Sequence, residues 1–395
     1  MISLSERSQN VTPSSTLAIT AKINGMIADG VDVVKFGAGE PDFDTPDYIK
    51  AAAITALEDG FTKYTPVPGT PELREAIVEK YKRDNGLSYS TSEVIVSCGA
   101  KHTLYNIMQA ICDPGDELIF AAPYWVSYPQ QIKLAGAVPR VIETTAKQNF
   151  CMQSADVAAA INSNTKAILI NSPSNPTGTT YDVENLKQIA EIAVKNQVYL
   201  ISDEIYEALL YDGATHQSPA SFNEETKAIT FVVNGVSKAY SMTGWRIGYT
   251  AGPEDVISAM SRIQSHSTSN PTSIAQKAAV AALNEPQDAV EEMRKAFEER
   301  RDVICERFDD IDGVSYVKPQ GAFYIFPDFS AHYGRTLDGQ KIEGSMDITD
   351  YLLGSAGVGV VPGDGFGADK NLRLSFATSL PEINRGLDRI KEALK

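Results

Sequence analysis

The sequence predicts an α/β fold in two parts, a large and mostly parallel sheet covered by helices and a smaller α+β domain. Apolar runs typical of buried strands alternate with helical patterns between about residues 47 and 285. Such alternation indicates a parallel sheet with helices on both faces. A long, charged helical pattern over residues 285–308 then leads into the second part.

The predicted strands of the large sheet are short runs rich in β-branched and aliphatic residues. They begin at Val94, Glu117, Ala167, Val198 and Thr230. Helical patterns lie between several of them, for example over residues 101–111 and 182–195. Because ligands of parallel sheets bind beyond the carboxyl ends of the strands, residues that directly follow these runs are the first candidates for a site.

The domain division follows from the same patterns. Residues 47–285 are predicted to form the large domain, and residues 1–46 pack with residues 286–395 to form the small one. The predicted strands and the closing helix of the small domain begin near Val314, Ala322, Asn371 and Pro381. Residues 332–346 are polar and glycine-rich, so we expect a mobile insertion there, to which the sequence assigns no function.

Composition limits the partners of the chain. Its 395 residues suffice for two packed domains, and its net charge of −16 disfavours binding to nucleic acid or to an anionic membrane. No apolar run reaches the length that spans a bilayer, and residues 1–20 lack an apolar leader. The four cysteines form no C-x-x-C pair, so we expect free thiols in a cytoplasmic protein.

Signature motifs narrow the chemistry. The four histidines lack the spacing of metal ligands, so no metal is expected. The hydrolase motif G-x-S-x-G and the phosphate loop G-x-x-x-x-G-K-S/T are both absent from the sequence. The stretch S-C-G-A-K, residues 97–101, links a strand to a helix. Its small residues expose backbone N–H groups at a helix start, which by itself is a weak signal for a phosphate site.

Lys238 is the most informative residue. It lies in a loop of small residues after the apolar run 228–233, and Arg246 is predicted to open the next apolar strand. A buried lysine near an arginine loses its charge easily, and the neutral amine can form a Schiff base with an aldehyde. Arginine suits a phosphate, and pyridoxal phosphate (PLP) combines both groups. The alternative is a surface lysine in a turn.

Asp203 ends another apolar run, and Tyr206 lies close behind it. A buried carboxylate needs a cation or hydrogen bonds, and in a PLP site the cation is the pyridine nitrogen. A protonated ring nitrogen makes the cofactor an electron sink. Tyr206 can reach the same pocket. The alternative for Asp203 is the N-cap of a helix.

Three further side chains fit such a ligand. Asn175, in the proline-rich turn N-S-P-S-N-P-T-G, can donate to a phenolate or a carboxylate, or can be an ordinary turn asparagine. Trp125 can stack on a flat ring, or can be a core tryptophan. Arg373, in an apolar run, requires a carboxylate or phosphate as a partner. The partner is either the side chain of an Asp or Glu of the chain or the carboxylate of a substrate.

Taken together, the sequence resembles the class I aminotransferases, which are fold type I PLP enzymes. The stretch G-V-S-K-A-Y-S-M-T-G-W-R-I-G around Lys238 is similar to the lysine signature of that family throughout. The resemblance extends from G-A-G-E-P-D-F-D-T-P at residue 37 through T-K-Y-T-P-V-P-G to N-L-R-L-S-F-A-T-S. It is closest to the bacterial aspartate and prephenate aminotransferases, and it implies a large seven-stranded sheet and PLP as cofactor.

The resemblance implies a role for each candidate. Lys238 matches the Schiff-base lysine and proton shuttle, Asp203 the pyridinium partner, and Trp125 the stacking aromatic. Asn175 and Tyr206 match the residues that bond to the ring oxygen. Further cofactor-binding positions, on the phosphate side, are Gly99, Ala100, Lys101, Ser237 and Arg246. The role of Ser237 is the least defined, since Gly235 replaces a serine that binds phosphate in some relatives.

The resemblance also implies a homodimer with shared sites, because Tyr64 and Ser269 match positions that reach the neighbouring subunit's cofactor. Substrate-binding positions are Gly39, Lys101, Trp125, Asn175 and Arg373. Arg373, Asn175 and the backbone of Gly39 match the clamp for the α-carboxylate. Ser265 lies in the region where animal-type enzymes place an arginine that binds the distal carboxylate of the substrate. Lys101 matches a lysine that is expected to bind this carboxylate instead.

The function expected from the resemblance is that of an aspartate:2-oxoglutarate aminotransferase, which works by a ping-pong cycle through Lys238. One alternative is a prephenate or aromatic amino-acid aminotransferase on the same scaffold. Others are a PLP enzyme of elimination or ring closure, and a PLP-fold regulator without turnover. The regulator is disfavoured because too few residues precede the sheet to form a DNA-binding domain.

Overall fold

The computed structural model describes residues 3–13 and 15–395. Its centre is a seven-stranded sheet with the strand order β2-β8-β7-β6-β5-β3-β4. The strands in chain order are β1 (Val34–Lys35), β2 (Val94–Ser97), β3 (Glu117–Ala122), β4 (Val138–Glu143), β5 (Thr165–Asn171), β6 (Tyr199–Asp203), β7 (Thr230–Gly235), β8 (Gly248–Ala251), β9 (Tyr324–Ile325), β10 (Thr336–Leu337), β11 (Gln340–Lys341), β12 (Val358–Gly359), β13 (Val361–Pro362) and β14 (Leu372–Ser375).

Helices surround the sheet and build most of the remaining structure. In chain order they are α1 (Glu6–Gln9), α2 (Ser15–Ala28), α3 (Asp47–Glu58), α4 (Pro71–Asn85), α5 (Ala100–Ile111), α6 (Ser127–Leu134), α7 (Ser154–Ala160), α8 (Val183–Asn196), α9 (Glu224–Lys227), α10 (Glu254–Ser265), α11 (Ser273–Asn284), α12 (Asp288–Asp309), α13 (Ser345–Ser355) and α14 (Leu380–Ala393). No helix in the described ranges combines the length and the apolar character needed to cross a membrane.

The large sheet is mostly parallel, as predicted. Strands β4, β3, β5, β6 and β7 run parallel to one another, and β8 runs antiparallel to both of its neighbours, β7 and β2. Successive residues of a strand contact opposite layers. Val232 packs with α3, α4 and α11, whereas Phe231 and Val233 pack with α5 and α10. Both faces are therefore buried, which explains why the central strands are continuous apolar runs.

The smaller part joins both ends of the chain. Strand β1, near the N-terminus, pairs in parallel with β12, with Val34 opposite Val358. Strands β13, β14 and β9 form an antiparallel sheet, and α12 and α14 cover a core that includes Phe36, Phe297 and Phe323. These contacts support our proposed division into residues 47–285 and a small domain of residues 1–46 and 286–395.

Two expected elements of the small part are misplaced in the sequence prediction. Val314 lies outside any strand, and only an isolated bridge joins Ser315 to Asp328. The strand expected at Ala322 begins at Tyr324, because Ala322 itself turns with a φ of 58°. Strands of two residues are defined by their partners and carry no pattern of their own, so sequence periodicity could not locate them.

The helix ends follow local chemistry. Helix α12 begins at Asp288 instead of residue 285, because Glu285 precedes Pro286 and is held in an extended conformation with a ψ of 166°. Helix α14 begins at Leu380, where the Ser379 side chain accepts a hydrogen bond from the Glu382 N–H. The closing helix predicted from Pro381 is therefore confirmed to within one position.

The segment 332–346 is packed against the small core, which differs from the expected mobile insertion. It contains the antiparallel pair β10 and β11, and Leu337 and Ile342 are buried in the core. Its glycines serve the tight turns that this hairpin needs, with Gly334 and Gly339 at positive φ. The four cysteines are free thiols, as predicted.

Candidate active site

A cleft of about 480 Å³ opens at the carboxyl ends of the parallel strands, where ligands of such sheets bind. It collects most of the predicted residues from distant parts of the chain. Those that line it are Gly39, Ala100, Lys101, Trp125, Asn175, Asp203, Tyr206, Ser237, Lys238, Arg246 and Arg373. Gly99 lies directly beside it, at the N-terminus of α5.

Lys238 reaches the cleft from the loop after β7. Its Nζ donates a hydrogen bond of 2.6 Å to the carbonyl oxygen of Gly39 and lies 5.9 Å from the centre of the Tyr206 ring. Burial lowers the pKa of Lys238 to about 8. The charges of Arg373 and Arg246 also lower this pKa, whereas the carboxylates of Glu40 and Asp203 raise it. The downward shift agrees in direction with the expected loss of charge, and a minor fraction of the amine is neutral near neutral pH.

Asp203 ends β6 with its side chain buried. Its Oδ2 accepts a hydrogen bond of 2.6 Å from the Tyr128 hydroxyl, while Oδ1 receives only a long contact of 3.4 Å from the Ile205 N–H. Burial raises the pKa of Asp203 to about 6, although the Tyr128 bond opposes the rise. A turn follows it, so Asp203 is not the N-cap of a helix.

Arg373 is a buried cation that forms no ion pair with any residue that the structure describes. Its Nη1 donates to Asn175 Oδ1 at 3.1 Å and its Nη2 to the carbonyl oxygen of Gly37 at 2.9 Å. Its Nε is buried and lacks a partner among the described residues. Within the same described set, Arg373 is absent from the ion pairs. Of the two readings of Arg373, the geometry favours an anion from outside the chain.

Two tyrosines frame this arginine. The Tyr206 and Tyr324 hydroxyls are 2.9 Å apart, and the Arg373 guanidinium lies 4.6 Å from the Tyr324 ring centre. Burial and the neighbouring Tyr324 hydroxyl raise the pKa of Tyr206 well above its usual value. Tyr206 therefore stays protonated and can donate a hydrogen bond into the cleft.

The start of α5 and Arg246 form one end of the cleft. Arg246 donates to the carbonyl oxygens of Thr243 at 2.8 Å and of Cys98 at 3.2 Å. Gly99 has a φ of 88°, and a Cβ there would lie 2.2 Å from Arg246 Nη2. Only glycine allows this approach, which brings a guanidinium to a helix N-terminus and favours an anion. Arg246 precedes the strand instead of opening it, since β8 begins at Gly248.

Lys101 and Trp125 both line the cleft and lie next to each other. The Lys101 Nζ lies 4.9 Å from the Trp125 ring centre, and Trp125 meets Tyr128 edge-on at 5.3 Å. Burial lowers the pKa of Lys101, and the charge of Arg246 adds to the shift. Ser237 is buried in the wall next to Lys238.

Tyr64 and Ser269 lie outside this cleft. Tyr64 is 91% exposed, a high value for so large a side chain, and Ser269 is partly exposed with a φ of 61°. Their assigned contacts need a second copy of the chain, so both assignments remain predictions.

The sequence analysis did not identify several residues that contribute to the site. Tyr128 lies in the same short stretch as Trp125, and its position one turn further along could have suggested it. Asn171 joins two strand ends, because its Nδ2 donates to the Asp203 carbonyl oxygen at 3.0 Å and its Oδ1 accepts from the Asn175 N–H at 2.9 Å. Tyr324 enters from the small part of the chain, and no sequence signal points to it.

Comparison with known proteins places this cleft in context. Residues 31–390 match the family model "Aminotransferase class I and II". The chain is 53% identical over 99% of both lengths to an aspartate aminotransferase of Bacillus sp. (strain YM-2). It is 50% identical to a probable aspartate/prephenate aminotransferase of Aquifex aeolicus, over 99% of this chain and 98% of the relative.

A solved structure is similar over the whole fold. The aspartate aminotransferase of Thermus thermophilus with maleate superimposes with a TM-score of 0.94, at 45% identity and with 100% of each chain covered. The matched range includes all the predicted site residues that line the cleft, from Gly39 to Arg373. With its fold, its cleft and its sequence in agreement, the chain belongs to the class I and II aminotransferases.

Proposed function

We propose that the protein is a PLP-dependent aspartate:2-oxoglutarate aminotransferase that works as a homodimer. One observation carries the proposal: a lysine amine with a lowered pKa shares a single cleft with a buried carboxylate and a buried arginine that both lack a charged partner within the described residues. Such unpaired buried charges are costly. A cofactor with a cationic ring nitrogen and a substrate with a carboxylate would together compensate both.

The residues present fit PLP. Asp203 would pair with the pyridine nitrogen, since no cation of the described chain bonds to it. Asn175 and Tyr206 would bond to the ring oxygen, and Trp125 would cover the ring. The phosphate would lie at the start of α5, where glycine at position 99 leaves room for Arg246; Ala100, Lys101 and Ser237 complete that end.

When bound, PLP supplies an aldehyde that takes up amino groups and a ring that accepts electrons. The chain supplies the rest. Lys238 is the nucleophile and moves a proton to and from the substrate's α-carbon, a task worth roughly 10²–10⁴-fold. Asp203 is ionised above pH about 6 and holds positive charge at the ring nitrogen. Arg373 orients the substrate through its α-carboxylate.

Aspartate is the proposed donor because the cleft carries two separate cations for two carboxylates. Arg373 lies against Tyr324, and Lys101 lies against Trp125. The similar Thermus enzyme is described with maleate, a dicarboxylate. Prephenate is the second candidate acceptor, supported by the aspartate/prephenate name of the Aquifex relative.

One feature supports the proposed dimer, and another supports the proposed location in the cytoplasm. Tyr64 is 91% exposed in the isolated chain, which fits a side chain that enters the cleft of a second copy. Four free thiols fit a reducing compartment, so we place the protein in the cytoplasm, with amino acids and 2-oxo acids as its partners.

The test is an absorbance titration of the purified protein loaded with PLP. Aspartate alone should convert the aldehyde form of the spectrum to the amine form, and 2-oxoglutarate should reverse the change. The same reversal is then measured with prephenate and phenylpyruvate as acceptors. Faster reversal by prephenate than by 2-oxoglutarate would replace the proposed acceptor, and no conversion by aspartate would refute the proposed donor.

A further inference from the structure

A buried charged cluster lies behind the cleft and touches both loops that carry its chemistry. Its members are Lys80 of α4 together with Glu204, Glu207 and His216. Glu204 directly follows Asp203, and Glu207 directly follows Tyr206. None of the four lines the cleft, so the reaction described above does not use them.

Glu204 and His216 form one half of the cluster. Glu204 Oε1 accepts hydrogen bonds of 2.7 Å from the hydroxyls of Ser202 and Ser218, and Oε2 lies 2.8 Å from His216 Nε2. Burial lowers the pKa of His216, but the carboxylates of Glu204 and Glu207 outweigh it and the net shift is upward. The two side chains are in contact inside the protein, and the neighbouring carboxylates favour the protonated imidazole.

Glu207 forms the other half with Lys80. Its Oε1 pairs with the Lys80 ammonium and accepts a hydrogen bond of 2.6 Å from Asn234 Nδ2. Its Oε2 accepts one of 2.7 Å from Asn85 Nδ2. Burial opposes ionisation, yet Lys80 and His216 keep the pKa of Glu207 below its usual value. Glu207 is thus paired with Lys80 and bonded through both of its carboxylate oxygens.

Asn234 links this cluster to the catalytic lysine. It lies in β7, just before the loop that ends in Lys238, and its Oδ1 accepts a hydrogen bond of 2.8 Å from the Gly235 N–H. One asparagine therefore fixes the start of the Lys238 loop and donates to Glu207. A second hydrogen bond joins the same two strand ends, because the Glu204 N–H donates to the Val233 carbonyl oxygen at 2.9 Å. The ends of β6 and β7 are therefore linked by two hydrogen bonds, from Asn234 to Glu207 and from Glu204 to Val233.

We propose that Glu207 is a positioning residue, which holds the loop of Lys238 in register with the loop of Asp203 and Tyr206 by accepting the hydrogen bond from Asn234. Lys80 and Asn85 fix the carboxylate in turn, so the register is set by α4 on the far side of the sheet. The inference rests on the proposed function, because the register matters only if both loops serve one ligand.

Glu207→Gln keeps the size of the side chain but puts an NH₂ group opposite the donors of Asn234 or Asn85. Asn234→Ala removes the same contact from the other side and leaves the Lys80–Glu207 ion pair intact. We expect each variant to lower kcat by about 10- to 100-fold and to change the KM for aspartate by less than about threefold. The double variant should be no slower than the slower single one, because both act through one contact.

A second readout follows the loop itself. Amide hydrogen exchange over residues 234–238 should become faster in both single variants, with or without added PLP, because the Gly235 N–H loses its fixed partner. The pH at which the bound cofactor's absorbance titrates should also shift. Glu298→Gln is the matched control: Glu298 pairs with Arg294 and accepts from the Asp212 N–H, remote from the cleft. It should lower the melting temperature and leave kcat, exchange and absorbance unchanged.

The inference is overturned if Glu207→Gln and Asn234→Ala only lower the melting temperature, as the control does, or if their effects on kcat add independently. Should Glu207→Gln fail to fold, Asn234→Ala carries the same test with the ion pair preserved. A wild-type protein that neither binds PLP nor transaminates would instead refute the proposed function, so the two failures are distinguishable.

Discussion

At the scale of single residues, burial sets the protonation states on which the site depends. Lys238 has a pKa lowered to about 8, and Asp203 has one raised to about 6. Both shifts arise chiefly because burial disfavours the charged form of each group. Between these two values the carboxylate is ionised while part of the amine is neutral, which is the combination that a nucleophilic lysine beside a ring cation requires.

The first prediction concerns the pH dependence of PLP capture by the cofactor-free protein. Only the neutral Lys238 amine is a nucleophile, so a lowered pKa moves capture to lower pH. The rate should rise with pH and level off above about 8, as measured by stopped-flow absorbance. A rate that keeps rising towards the ordinary lysine value of about 10.4 would show that Lys238 is not desolvated.

The second prediction concerns Tyr128, whose hydroxyl donates to Asp203. Tyr128→Phe removes a bond that favours the ionised carboxylate, so the pKa of Asp203 should rise further. Hydrogen bonds to charged groups contribute about 1.5–3 kcal/mol, and PLP affinity should fall by at least about tenfold, most strongly at acidic pH. Equilibrium dialysis against PLP over a pH series measures this.

Tyr181→Phe is the control for Tyr128→Phe. Tyr181 is a partly buried tyrosine whose hydroxyl accepts a hydrogen bond of 3.3 Å from the Met152 N–H, and it neither bonds to Asp203 nor lines the cleft. Its PLP affinity should equal that of the wild type. Equal affinity in both variants would mean that Tyr128 has no influence on Asp203.

At the scale of elements, the site is a set of strand and helix ends. Asn171, Asp203 and Gly235 end neighbouring parallel strands, so their loops meet at one sheet edge. The long buried strands were predictable, because both of their faces are covered and their apolar runs are continuous. The two-residue strands near Ala322 and Val358 were not predictable, because they are defined only by pairing with partners that are distant in the sequence.

The third prediction tests the helix start beside Arg246. Gly99 has a φ of 88° and a ψ of 159°, a conformation that other residues adopt at a cost on the order of 1–3 kcal/mol. Gly99→Ala would also place a Cβ against the Arg246 guanidinium. Affinity for PLP should fall by more than about tenfold, and inorganic phosphate should protect the variant from heat less well than it protects the wild type.

Gly86→Ala separates backbone strain from the effect on the cleft. Gly86 ends α4 with a φ of 66°, and a Cβ there meets nothing within 4 Å. It should lose stability by a similar amount, measured by thermal unfolding, while PLP affinity stays at the wild-type level. If Gly99→Ala behaved in the same way as Gly86→Ala, the anion end of the cleft would be elsewhere.

At the scale of the whole molecule, the cleft is completed by residues from opposite ends of the sequence. Gly39 and Arg373 come from the small part and meet Lys238 and Asn175 of the large one. Residue types and strand positions predicted the ligand chemistry, and the resemblance to a family supplied the individual roles. Tyr128 and Tyr324 could not be assigned in that way, because their contribution arises only from tertiary contacts with Asp203 and Arg373.

The fourth prediction addresses the proposed sharing of sites in a dimer. Lys238→Ala and Tyr64→Ala should each impair transamination as separate preparations. In mixed dimers, one site would combine the Lys238 of one chain with the Tyr64 of the other and would be intact. Mixing under dissociating conditions should therefore restore up to about half of the wild-type activity per mixed dimer. Activity no higher than that of Tyr64→Ala would place Tyr64 in its own chain's site.

The most direct measurement of the central claim is reductive trapping of PLP on the protein. The loaded protein is treated with borohydride, digested, and mapped by mass spectrometry. We expect one modified lysine, Lys238, and no label on the nearby Lys101. Label on another lysine, or none at all at saturating PLP, would mean that Lys238 does not bind the cofactor.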